Sequence, residues 1–379
     1  MTSSPHTTPG TATTDAEAAL RTGDRVLAAA VDAMDVIAIA IGDRLGYYRA
    51  LDAGPTTPDA LAQATRTSRR YCREWLEQQA MSGYLEHRDG VFGLAPGVAD
   101  VLARRGTSAW LAPLARQVAA AAAHWTHVAD GAARGTGLAW AAYGRDMFEA
   151  QSDMNAAALL ESLADHWLAA ALPRAHARLV AGEPLRIADV GCGGAWAGIA
   201  LALRFPQVQV DGYDVDGPTV ELARRNVESQ GVADRVHVRH QDPATRAPAG
   251  AYDLVLAFEC IHDMPNPVAV LRAMRRMVAE DGHVLVADMA GAEEFHPDGD
   301  LVQRALYGYS VLVCLPDAMS GNPEGATGTL MRPSTMHRYA RDAGFSSAVP
   351  LDVEHDFWRF YELTRPRVPR PRPRTPTTG

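Results

Sequence analysis

No lysine occurs in the 379 residues, so all 36 cationic side chains are arginine. A Walker A phosphate loop needs its lysine and is excluded. Lysine Schiff-base chemistry, including that of pyridoxal phosphate enzymes, is excluded with it. Cysteine is scarce: Cys72, Cys192, Cys260 and Cys314 include no C-x-x-C pair. This argues against a zinc ribbon or a disulfide framework and fits a reducing cytosol, so a cytoplasmic location is expected. No run approaches the ~18 uninterrupted apolar residues of a membrane span. The longest, Val26 to Ile41, is broken by Asp32 and Asp35. The Thr-, Ser- and Pro-rich start has no charged-then-apolar pattern, so no secretion signal is expected.

Positive charge is also in short supply. The net charge is -9, and five arginines are concentrated in Arg365 to Gly379, so the rest is more acidic still. Such a body repels nucleic acid outside a local basic patch and suits a cationic small ligand. Hydrophobic residues at 47% and charged residues at 21% describe a soluble globular protein. Its length allows two domains.

The tails 1-15 and 365-379 are low in complexity, the second alternating Pro and Arg, and both are expected to be disordered. Residues 16-180 read as mostly helical. Asp24 to Leu45 is one long apolar helix. Thr57-Pro58-Asp59 starts a helix through Ala64, with proline at its first position. Ser68 starts another, Arg69 to Met81. Tyr84 to His87 and Val91 to Leu94 then flank the turn Arg88-Asp89-Gly90 as a hairpin. Two helices and a two-stranded wing make a winged helix. Ala99 to Val180 is alanine-rich and helical.

From residue 181 to 364 the pattern alternates. Strands are expected at 185-190, 208-213, 235-240, 252-258 and 283-289, with helices at 197-204, 217-230 and 267-279. This predicts an α/β, Rossmann-like doubly wound sheet. Ser347 to Val353 and Asp356 to Leu363 add an antiparallel C-terminal hairpin.

The segment Ile187-Ala188-Asp189-Val190-Gly191-Cys192-Gly193-Gly194-Ala195-Trp196 carries the most information. A buried strand ends in a carboxylate, breaks into a glycine turn and becomes a helix whose amide end faces a ligand. The dinucleotide fingerprint would place a third glycine where Trp196 stands. Asp214 and Asp216 end the next strand, where a carboxylate can accept both ribose hydroxyl protons. Gln241-Asp242 ends the third, where Asp242 can accept from an exocyclic amine. Three acids around one ligand suit a cationic nucleoside and repel a pyrophosphate.

With Tyr252-Asp253-Leu254-Val255 and the closing hairpin, these residues resemble the class I S-adenosylmethionine-dependent methyltransferases over about 180-364. The resemblance implies S-adenosyl-L-methionine as cofactor and S-adenosyl-L-homocysteine as product. It places Gly191 and Gly193 by the amino-acid portion, Asp214 at the ribose, Asp242 at the adenine amine, and Phe258 and Glu259 near the sulfonium. Ala195 departs from the third glycine common in the family.

Glu259-Cys260-Ile261-His262-Asp263-Met264-Pro265 follows the fourth strand, on the edge that faces the ligand crevice. His262 is the candidate general base, with Asp263 orienting it or capping the next helix. Two-domain small-molecule O-methyltransferases carry a similar winged-helix region and histidine, but with a tryptophan where Met264 stands. The remaining histidines show no metal-ligand spacing, so no metal is expected. Trp140, Tyr143, Met147 and Phe148, with Tyr307 and Tyr309 on a helix over Leu301 to Pro316, are candidate pocket walls. Ser320 to Thr329 reads as a lid or a surface loop.

The expected function is methyl transfer to an oxygen of a small organic acceptor. The same fold also accommodates transfer to nitrogen or carbon. A second class is a DNA-binding regulator using Arg66, Arg69, Arg70 and Arg73. The acidic neighbours Glu74, Glu77, Glu86 and Asp89 argue against it. In the resembling enzymes the N-terminal module builds a homodimer, which is expected here. The composition suggests specialised metabolism in a high-GC bacterium.

Overall fold

The structure is a computed structural model and describes residues 14-366. Residues 1-13 and 367-379, the greater part of the two expected tails, lie outside the described residues. Arg365 lies inside, and its guanidinium donates to the carbonyls of Val278, Ala279 and Glu280. The described chain forms two compact units, one ending at Arg104 and the other beginning at Arg105.

The first unit opens with the helix Asp15–Leu45, which starts nine residues before the expected Asp24. Its beginning is set by a reciprocal cap. Glu17 N–H donates to Thr14 Oγ1 at 3.3 Å, and Thr14 N–H donates to Glu17 Oε2 at 3.1 Å. Gly46, at φ 74°, ends it. The buried rings of Tyr47 and Tyr48 meet Trp75 edge-on, with centroids 4.9 and 5.1 Å apart. The helices Pro58–Thr65 and Arg69–Met81 follow, then strands β1 (Leu85–Arg88) and β2 (Val91–Leu94). Asp89 and Gly90 both take positive φ in the tight turn between these strands, as a right-twisted two-residue hairpin requires. These three helices and two strands come in the predicted order, but the short helix Tyr47–Asp52 after the first was not expected.

The second unit begins with helices between Ala112 and Val180, interrupted by a wider π-helical stretch, Leu159–Trp167. A seven-stranded sheet follows. Its strands are β3 (Arg186–Val190), β4 (Gln209–Asp214), β5 (Val236–His240), β6 (Tyr252–Phe258), β7 (Val278–Met289), β8 (Ser347–Pro350) and β9 (Trp358–Thr364). The order across the sheet is β5-β4-β3-β6-β7-β9-β8. The first five are mutually parallel, and β9 runs antiparallel between β7 and β8. Alternate residues face opposite layers. Ile187, Leu254, Leu256 and Leu285 enter one core, while Ala188, Val190, Val255 and Val284 enter the other. The order reverses between β3 and β6. The ligand crevice of such a sheet lies there, beyond the carboxyl ends of the strands.

The helix expected over Leu301 to Pro316 is corrected. Leu301–Tyr309 is α-helical, Ser310–Cys314 widens to π-helix, and Leu315–Gly321 is α-helical again. Pro316 does not end it. Proline has no N–H for the carbonyl four residues back, and the Tyr143 hydroxyl donates to that carbonyl, Leu312 O, at 2.6 Å.

Candidate active site

The turn after β3 is held open by backbone geometry. Gly191 and Gly193 have φ of 69° and 51°, and a Cβ on Gly191 would lie 2.7 Å from Cys260 Sγ. Ala195 takes φ 63° although it has a side chain, a conformation that costs free energy and persists only when its surroundings impose it. Trp196 Nε1 donates to Ser152 Oγ at 2.8 Å, and Asn226 Nδ2 donates to Gly194 O at 3.0 Å.

Asp214 binds the loop to the end of β4. Its Oδ2 accepts from Gly193 N–H at 2.9 Å and its Oδ1 from Asp216 N–H at 3.0 Å. Burial raises its pKa above the usual carboxylate value. Asp216 caps the helix Gly217–Ser229, accepting from Thr219 N–H at 2.9 Å and Thr219 Oγ1 at 2.6 Å. Gln241 N–H donates to Asp214 O at 2.8 Å, and the Gln241 side chain donates to Arg246 O. Asp242 closes its own turn by accepting from Ala244 N–H at 2.8 Å. Asp189 accepts from the Gly198 backbone, but its Oδ2 is buried without a partner. Burial first, and the charge of Asp214 second, push Asp189 up to about 7.

The segment after β6 forms the other side. Glu259 sits at φ 53° and donates its N–H to Ala287 O at 2.8 Å. Its carboxylate accepts from Gln151 Nε2 at 3.1 Å. Burial pushes that carboxyl up to about 7 against the opposing pull of His262. His262 is 1% exposed. Its Nδ1 meets Asp288 Oδ1 at 2.6 Å, and its backbone N–H donates to Asp288 Oδ2 at 3.2 Å. Its Nε2 lies 3.0 Å from Asp263 Oδ1, yet that oxygen has no hydrogen bond. The contact is ionic and off the line of a hydrogen bond. Burial alone would lower the pKa of His262; the charges of Asp263 and Asp288 outweigh it and hold the ring well above the ordinary histidine value.

A partly buried polar chain leads to Glu259. Tyr309 OH donates to Gln117 Oε1 at 2.8 Å, Gln117 Nε2 to Gln151 Oε1 at 2.6 Å, and Gln151 to Glu259. Trp140 packs on Phe148 and Tyr143 at centroid distances of 5.7 and 6.4 Å, its backbone N–H donates to Asp317 Oδ1 at 2.8 Å, and its indole Nε1 donates to Thr219 Oγ1 at 3.3 Å. Tyr143, Met147 and Phe148 share a buried cluster with Val313 and Cys314. Two of the expected residues lie elsewhere. The Phe258 ring packs toward Trp358 and Phe360, and Tyr307 meets Phe295 edge-on at 5.9 Å. The side-chain nitrogen of His262, an oxygen of Asp263 and Cys314 Sγ lie within 4.8 Å of one another, a grouping of ligand type.

Sequence reasoning missed Asp288, Gln117 and Gln151. For Asp288 a signal was present: a carboxylate ending the apolar run Val284-Leu285-Val286-Ala287, the same pattern that singled out Asp189.

Residues 188–284 match the model of a methyltransferase domain. The chain is 34% identical over 103 residues to the polyketide synthase ThaQ of Burkholderia thailandensis, covering 27% of this chain and 5% of that protein. It is 29% identical over 173 residues to the ubiquinone biosynthesis O-methyltransferase of Ralstonia nicotianae, covering 45% and 67%. The chain thus spans only a small fraction of the first relative and two thirds of the second. Among solved structures, human N-acetylserotonin methyltransferase in complex with S-adenosylmethionine superposes with a TM-score of 0.65 at 15% identity, over 94% of this chain and 99% of that one. The likeness extends the shared fold well beyond the matched domain.

Proposed function

We propose that this chain, which carries a class I S-adenosylmethionine-dependent methyltransferase domain, transfers a methyl group from S-adenosyl-L-methionine to an oxygen of a small organic acceptor. One observation carries the reading. The glycine loop at the switch point is flanked by the half-buried Asp214 and the buried Asp189, and Asp189 keeps an oxygen without a partner. A bare buried carboxylate oxygen is costly. An ammonium or sulfonium relieves that cost, whereas a phosphate adds to it.

When bound, the cofactor supplies a methyl electrophile on positively charged sulfur, which leaves as a neutral thioether. The protein's part is to hold and deprotonate. Asp189 and the loop at Gly191 and Gly193 receive the cationic amino-acid portion. Asp214 receives the ribose hydroxyls, since a carboxylate has lone pairs to spare beyond the two amides it already accepts. Asp216 and Gln241 brace the ends of β4 and β5, and Asp242 faces the adenine amine. Phe258 braces the end of β6 from its place in the core, and Glu259 would lie near the sulfonium.

His262 removes the proton of the acceptor hydroxyl through Nε2. Asp288 fixes the ring through Nδ1, and Asp263 adds negative charge opposite Nε2, so the imidazole is a stronger base than a free one. The wall of Trp140, Tyr143, Met147, Phe148 and Tyr309, which pack in one cluster, keeps water from the acceptor. A second copy of the chain covers the N-terminal helix.

The test is His262→Ala. Turnover falls by about 10²–10⁴, the contribution of a positioned general base, while calorimetric affinity for S-adenosyl-L-homocysteine is retained. Unchanged turnover removes the base and favours a nitrogen acceptor. Binding of NAD with neither the methyl donor nor its thioether bound overturns the whole reading.

A further inference from the structure

We propose that His262, Asp263 and Cys314 form a binding site for a borderline divalent cation, zinc above others, and that its occupancy silences the base. The silencing rests on the function proposed above. The binding rests only on the geometry.

The three residues come from the loop after β6 and from the end of the π-helical stretch Ser310–Cys314. Their ligand atoms already converge within 4.8 Å. Tetrahedral zinc with bonds of about 2.0–2.3 Å sets ligand atoms roughly 3.3–3.6 Å apart. The Nε2–Oδ1 separation of 3.0 Å is close to that, so only the thiol side must draw in. The other histidine nitrogen is bonded to a fully buried carboxylate, Asp288, at 2.6 Å. This outer carboxylate is the partner that metal-bound histidines nearly always have, because it fixes the ring and presents the remaining nitrogen.

One further atom points to a missing ligand. Asp263 Oδ1 is buried and makes no hydrogen bond although it faces the ring nitrogen. A cation between Nε2, Oδ1 and Sγ gives that oxygen a partner. The donor set selects the metal. One nitrogen, one carboxylate oxygen and one sulfur suit zinc, cobalt or copper and not magnesium or calcium, which require oxygen. On binding, the thiol proton leaves and Sγ coordinates as thiolate. Nε2 gives its lone pair to the ion and can no longer accept a proton from an acceptor.

The experiment uses the full chain, stripped with chelator and titrated with cobalt(II) as a spectroscopic substitute. One equivalent is expected to raise a near-ultraviolet thiolate-to-cobalt charge-transfer band and intense visible bands of a four-coordinate ion. Cys314→Ser abolishes the charge-transfer band and weakens cobalt binding at least tenfold. Asp263→Asn weakens binding without abolishing the band, and Cys72→Ser changes neither. No band in the parent protein, or a band that survives Cys314→Ser, overturns the site. Circular dichroism verifies that each variant is folded; should Cys314→Ser not fold, loss of affinity in Asp263→Asn decides. Stoichiometric zinc is further expected to suppress methyl transfer, with recovery on chelation. Full turnover with zinc bound overturns the silencing and leaves the site. Cobalt binding by a protein that transfers no methyl group under any condition supports the site and refutes the proposed function.

Discussion

Three carboxyls in one region, Asp189, Glu259 and Asp317, are each pushed up to about 7, with burial the leading cause. Their folded-state pKa values exceed those of the unfolded chain, so between about pH 4 and pH 7 the native state binds more protons than the unfolded state. Stability therefore falls as pH rises through that window, by at most about 1.4 kcal/mol per pH unit for each such group. The ligand-free protein is expected to show a lower urea midpoint at pH 8 than at pH 5.5. Asp189→Asn should remove part of that difference. A cationic ligand reverses the sign, because it favours the ionised carboxylate. Affinity for S-adenosyl-L-methionine should rise with pH through about 7 in the parent, and calorimetry should find a flatter profile in Asp189→Asn. An affinity that falls with pH would show that these acids do not face the cation.

The region from Leu301 to Gly321 shows how one residue can reorganise a segment. Pro316 lies inside it and cannot donate, and Tyr143 reaches across to the Leu312 carbonyl. Gly137 lies in the same contact, where a Cβ would come within 2.0 Å of Pro316 O. Tyr143→Phe keeps the ring and removes only the donor. It should cost about 1–3 kcal/mol, the penalty for an unsatisfied buried acceptor, measured by equilibrium denaturation. A cost near zero would mean that the carbonyl finds another donor.

Much of the sheet is legible in the sequence, because buried strands announce themselves as short apolar runs between turn residues. The glycine loop was legible for the same local reason: Asp189, Gly191 and Gly193 are neighbours in sequence. The start of the first helix was legible and overlooked, since Thr14 and Glu17 have capping-box spacing. The relay from Tyr309 through Gln117 and Gln151 to Glu259 was not legible. Its members lie far apart in the chain, and glutamine at those positions carries no local signature. Cys314 is similar, because its approach to His262 depends on a π-helical stretch that sequence periodicity does not encode.

At the scale of the whole molecule, the first unit leaves apolar surface exposed. Leu20, Leu27, Met34 and Ile41 recur every seven residues on the helix Asp15–Leu45 and are 71%, 66%, 66% and 46% exposed. A seven-residue apolar repeat is the seam of a helix that packs against another along its length. This supports a homodimer in which a second copy supplies the cover. Leu27→Asp combined with Met34→Asp should convert a dimer to a monomer in sedimentation velocity, with helix content retained. A parent protein that sediments as a monomer would exclude that cover. Among the described residues no helix is long and apolar enough to cross a membrane.

The insertion of β9 between β7 and β8 bears on biosynthesis. During translation β8 leaves the ribosome before β9, but in the finished sheet it touches β7 only through β9. Until residues 358–364 emerge, β7 presents an unpaired edge of the kind that recruits foreign strands. The nascent chain therefore carries this vulnerability from the completion of β7 until β9 emerges. A stop codon shortly before Trp358 should yield insoluble aggregate, not a trimmed enzyme.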